Sequence, residues 1–95
     1  MVKLEDFMNW WQQDGLHLVK QRDVEKGNHR WILFTVYSKE SRVEYGRHFV
    51  LLVVVSKDTE EIVAHDMANQ LNYDSTFGMD SWFERHVQEG LVNVS

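Results

Sequence analysis

The chain has 95 residues, 43% of them apolar, and ten Lys/Arg against fifteen Asp/Glu give a net charge of −5. That length suits one domain with a modest core, and the acidic balance argues against a general nucleic-acid binder. Cysteine is absent, which excludes a disulfide framework and thiolate chemistry and fits a reducing compartment.

Proline is also absent, so the loops must be built from Gly, Asn, Asp and Ser. Four Trp, three Tyr and five Phe are more rings than so small a core can hide, and some are expected near the surface. Glu5 and Asp6 stand where a secretory leader would need cationic and then purely apolar residues. Asn93-Val94-Ser95 matches a glycosylation acceptor, which has meaning only in a secreted protein. The cytoplasm is the default location. Charge is uneven along the chain: residues 17–47 carry a net +3 and residues 48–95 a net −6. Solvated strand edges and helix faces are the simplest source of that asymmetry.

Leu4, Phe7, Met8 and Trp11 fall at i, i+3, i+4 and i+7, one face of an amphipathic helix. Glu5 and Asp6 suit the dipole of its first turn, and Gly15 suits its C-cap. The spacing predicts a helix over 4–14, with Trp10 off the main stripe as a rim or contact residue. Leu16 to Val24 alternates and becomes polar, as an edge strand would. Leu16, Leu18, Lys20, Arg22 and Val24 share one side. Residues 25–28 form a turn in which Gly27 or Asn28 can take positive φ. His29 to Tyr37 is a second strand, with Trp31, Leu33, Thr35 and Tyr37 on one face and Ile32, Phe34 and Val36 on the other. Residues 38–42 make a hairpin loop.

Val43 to Ser56 is the third strand, with Gly46 at a bulge or close approach. It contains Phe49 to Val55, the longest apolar run in the chain. Seven residues are far short of the ~20 needed to cross a bilayer, so no membrane is implied. Four of the seven are Val, which favours a strand. Both of its faces are apolar, so both need cover. Burying each side chain is worth roughly 1.5–3 kcal/mol before entropy.

Residues 59–71 admit two readings. As a strand, 61–67 turns back on the central run. As a helix, Val63, Met67 and Leu71 share a face with Ala64 and Ala68, and Asp58 with Glu61 makes a capping box. The strand is preferred, because a short polar loop after a long strand most simply turns back. Residues 69–78 have loop composition. Ser81 with Glu84 is a second capping box, so the last helix is predicted over 82–89 with Gly90 as its C-cap. Trp82, Phe83, His86 and Val87 form its apolar side. Leu91, Val92 and Val94 form a tail that can dock back.

Three groups of residues could carry function. His65-Asp66 with Glu84 and His86 is the only acid–histidine grouping, suited to metal binding or general acid/base work. Scattered histidines of this kind are more commonly surface or hydrogen-bonded residues, and no zinc spacing, nucleophile elbow or phosphate loop accompanies them. Lys20, Arg22, Lys26, Arg30, Arg42 and Arg47 lie near the first two hairpins with Trp31, Tyr37 and Tyr45 interleaved. Such a sheet can stack single-stranded bases, although Trp31 and Tyr37 fit the core better, and Glu40 and Glu44 oppose phosphate. The third group is apolar excess. Helices of about eleven and eight residues cover roughly one face of a four-stranded sheet. The other face is left to a second subunit, or to the 69–78 loop and the tail.

The expectation is a single α+β domain over 1–95: an antiparallel meander of three to four strands with a helix at each end, in the order α-β-β-β-β-α. The leading function is a non-enzymatic interaction module that self-associates or binds another protein. Its contacts are Trp10, Trp11, Tyr73 and Trp82, by the enrichment of aromatics in interface cores. Single-stranded nucleic-acid binding is the alternative, and a small enzyme or metal site at His65, Asp66 and His86 the third. No cofactor is implied.

Overall fold

The computed structural model describes residues 2–38, 47–69 and 76–90. They form α1 (Leu4–Gln13), β1 (Leu16–Lys26), β2 (His29–Ser38), β3 (Arg47–Ser56), β4 (Ile62–Asn69) and α2 (Thr76–Glu89). The strands make one antiparallel sheet in the order β1-β2-β3-β4. The order is therefore α-β-β-β-β-α, and residues 62–69 are strand rather than helix. The residues quoted from 39–46, 70–75 and 91–95, among them Arg42, Tyr45, Gly46, Tyr73 and the tail, lie outside the described ones.

β2 and β3 occupy the middle of the sheet, and their side chains divide as strand alternation requires. Trp31, Leu33, Val50, Leu52 and Val54 pack with Met79, Trp82 and Phe83 of α2. Ile32, Phe34, Val36, Leu51, Val53 and Val55 pack with Phe7 of α1 and Leu18 of β1. Each face of the sheet thus has its own helix. The expectation that two short helices cover one face is corrected, because the helices lie on opposite sides. α2 is also longer than expected, at 14 residues, or about 21 Å. Met79, Trp82, Phe83 and His86 make its buried stripe. Ser81 and Glu84 fall inside the helix, so their capping box is not used. Gly90 does end it, with φ +66° and its N–H donating to the His86 carbonyl at 2.8 Å.

α1 starts without a side-chain cap. Its first amide, at Leu4, donates to the carbonyl of Glu60 at 3.0 Å, and Glu60 takes the left-handed region at φ +59°. The β3–β4 turn therefore supplies the missing cap. The Ile62 N–H donates to the Val2 carbonyl at 2.8 Å, which fixes the start of α1 beside the start of β4. Its other end feeds β1 at Leu16, opposite Ser38, at the far end of the sheet. α1 crosses its face obliquely.

One irregularity changes the reading of β1. The register jumps between Lys20↔Phe34 and Arg22↔Leu33, so Gln21 is an inserted bulge residue. Leu18 stays on the α1 side, while Val24 joins the α2 side. The single stripe from Leu16 to Val24 is corrected: the bulge turns Arg22 and Val24 to the other face.

Leu51→Ala and Leu52→Ala remove buried side chains on opposite faces. Each is expected to cost about 2–5 kcal/mol in urea unfolding. Amide exchange should quicken mainly in α1 for Leu51→Ala and in α2 for Leu52→Ala; the reverse pattern would contradict the two-sided packing.

Candidate functional site

The acid–histidine grouping assembles in part. Asp66 on β4 and His86 on α2 meet, with His86 Nε2 2.9 Å from Asp66 Oδ2. The other ring nitrogen, Nδ1, lies 2.9 Å from the Trp82 carbonyl one turn back, and the ring lies 4.3 Å from the Trp82 ring, tilted by 49°. Both nitrogens face acceptors. A neutral imidazole donates to one of them at a time, whereas the doubly protonated ring donates to both. Asp66 is also used twice, since its Oδ1 accepts the Met67 N–H at 2.8 Å. His65 belongs to the other face, beside the Phe7 ring at 6.2 Å. His86 is only 4% exposed, and both nitrogens are engaged, so the pair holds α2 to β4. Among the described residues no group of three or more His, Asp or Glu could hold a metal ion.

The basic candidates separate onto two faces. The bulge sends Arg22 to α2, where its guanidinium bonds Asp80 at 3.4 Å and Glu84 at 2.5 Å and sits 5.1 Å over the Phe83 ring. The hydrogen bond to Glu84 raises the Arg22 pKa above its ordinary value. Lys26 donates to the Val87 carbonyl near the negative end of α2, with its ammonium 5.9 Å from the Trp31 ring centre. Lys20 and Arg30 lie on the α1 side, and both bond Asp23. Arg47 opens β3, opposite Tyr37, and Trp31 is buried in the core. Four of the six cations thus pair with groups of this chain, two on each side of the sheet. Sequence spacing could not show this, since Arg22 and Glu84 are 62 residues apart.

The contact candidates also divide. Trp82 is 8% exposed and fills the α2-side core. Trp11 packs on Phe7 at 5.6 Å and is half-buried. Trp10 is 64% exposed and Met67 50%. The Phe7–His65 contact shows that this flank of α1 faces β4. Trp10 lies one turn beyond Phe7, and Met67 shares a strand face with His65. Val2, the third large apolar side chain exposed among the described residues, is hydrogen-bonded to β4 at Ile62. Val2 thus lies by the start of β4 and Met67 toward its end; the sequence reading singled out neither.

The two sheet edges differ. β1 carries Lys20, Arg22, Asp23, Glu25 and Lys26 together with its bulge, the usual protection against strand pairing. β4 has one formal charge, Asp66, which is turned to His86 and the Met67 amide. No helix among the described residues is long and apolar enough to cross a membrane. Compared with known proteins, the chain matches no family model, no curated protein and no solved structure.

Asp66→Ala leaves a buried His86 nitrogen unpaired and is expected to cost about 1–3 kcal/mol by urea unfolding. Asp66→Asn, which keeps an acceptor, should cost less. The hydrogen bond from Arg30, and then that from Lys20, lowers the Asp23 pKa from its ordinary 3.8 against the opposing effect of burial. Its charged form therefore stabilises the fold above that value, and the contribution disappears as pH falls through the depressed one. The stability gap between the wild type and Asp23→Asn should shrink along that descent, measured by unfolding at stepped acid pH. A constant gap would contradict the pairing.

Proposed function

We propose that this protein is a non-enzymatic interaction module that self-associates through the corner where α1 meets β4. The observation that carries this reading is the exposure of two large apolar side chains, Trp10 on α1 and Met67 on β4. A Trp side chain offers about 150–250 Å² of contact area, and Trp is favoured at binding hot spots. Doubled by a two-fold axis, these side chains supply a substantial part of the ~1,000 Å² that a specific interface needs. Among the described residues β4 is an edge strand and carries one formal charge, Asp66. A second copy is the partner proposed, because two-fold pairing sets Trp10 and Met67 against the same apolar side chains of the other copy. The paired cations and the engaged His86 leave nucleic-acid binding and acid/base chemistry with less support.

Light scattering coupled to size exclusion over rising concentration tests the reading. The wild type should shift toward a dimer. Trp10→Ala with Met67→Lys should weaken association by about 30-fold or more while circular dichroism stays unchanged. A wild type that remains monomeric at every concentration would falsify it.

A further inference from the structure

The two edges of the sheet are built differently. β1 carries the bulge at Gln21 and five charged side chains, both of which resist pairing with another strand. β4 has a bulge of its own, since the register steps from Val54↔Ala64 to Val55↔Ile62 and leaves Val63 inserted. The chain's own N-terminal residues cover the start of this edge. The Ile62 N–H donates to the Val2 carbonyl, and Lys3 bridges Glu61. Beyond the bulge, Ala64 to Asn69 pairs with Val54 to Phe49 without interruption. This stretch holds no Lys, Arg, Glu or Pro, and its Asp66 is turned to His86. Met67 is exposed on the α1 side. The Met67 N–H donates to the neighbouring carboxylate oxygen, Asp66 Oδ1, at 2.8 Å, which places this amide on the outer side of the strand.

We infer that a second copy pairs along this stretch, β4 against β4 and antiparallel, so that two four-stranded sheets join into one. Such pairing rests on the self-association proposed above and gives it a geometry. Two-fold symmetry restricts the register. Residues directly opposite in an antiparallel pair point to the same face, so the axis must pass through a residue of the stretch. Axes at Asp66 and at Met67 engage the most of it. An axis at Asp66 sets two carboxylates directly opposite, which is destabilising. An axis at Met67 sets Met67 against Met67 and Asp66 against Ala68, and moves the carboxylates to a diagonal of about 7–8 Å. The outward N–H and C=O of position 67 then meet the same groups of the partner, and position 65 meets position 69. The Met67 amide exchanges Asp66 Oδ1 for a backbone carbonyl, while Asp66 keeps His86.

The chain has no cysteine, so single cysteines report the register. In Met67→Cys the two thiols stand directly opposite, with Cα atoms about 4.5–5.5 Å apart and within disulfide reach. In His65→Cys they are separated by about 13 Å along the strands and out of reach. At concentrations where light scattering shows the dimer, a mild oxidant should link Met67→Cys and leave His65→Cys unlinked on a non-reducing gel. In the unchanged chain, hydrogen exchange at the amides of His65 and Met67 should slow in step with the dimer fraction. A dimer in which Met67→Cys is linked no faster than His65→Cys would overturn the strand pairing and leave self-association standing. So would a dimer in which those two amides exchange as fast as in the dilute protein. A chain that stays monomeric at every concentration would overturn both.

Discussion

Two adjacent strands that are apolar on both faces govern this molecule. From Trp31 to Val36, and again from Val50 to Val55, every side chain is buried. Such a pair cannot leave either face to water, since each large side chain so exposed would forfeit roughly 1.5–3 kcal/mol. The chain meets the demand with one helix per face. The helices lie at opposite ends of the sequence, so the sheet separates two small cores: Phe7 belongs to one, and Met79, Trp82 and Phe83 to the other.

Charged residues then hold this arrangement. The β1 bulge passes Arg22 through to α2, where Asp80 and Glu84 receive it. Lys26 meets the C-terminal end of the same helix, and Asp66 anchors His86 from the opposite edge. α2 is thus tied from both edge strands, β1 and β4. α1 is held differently, by the Glu60 carbonyl at its start and by Gly15 at its end, where φ is +83°. Its path is oblique, and Trp10 stays exposed on its outer flank.

Much of this was legible in the chain, because local patterns are set by local geometry. The 3.6-residue period of Leu4, Phe7, Met8 and Trp11 defines a helix wherever it docks. The two-sided apolarity of Phe49 to Val55 defines a central strand. Gly15, Gly27 and Gly90 mark turns at which φ is positive. Even the pairing of Asp66 with His86 was visible as a grouping, although its companion His65 points to the opposite face by strand alternation.

What only the tertiary structure decided are relations between distant residues. Which helix covers which face cannot be read from either helix. The start of α2 at Thr76 escaped notice because Gly78 and polar neighbours dilute its period, and Met79 counts as core only once the sheet is beside it. The bulge at Gln21 leaves no local mark in an alternating strand, yet it decides that Arg22 binds α2 while Lys20 and Arg30 stay with α1. Composition and period determined the elements and their order, since these depend on neighbours a few residues apart. Packing decided which cations are paired and, among the described residues, which rings are buried and which stay exposed, since those depend on contacts across as many as 62 positions of the chain.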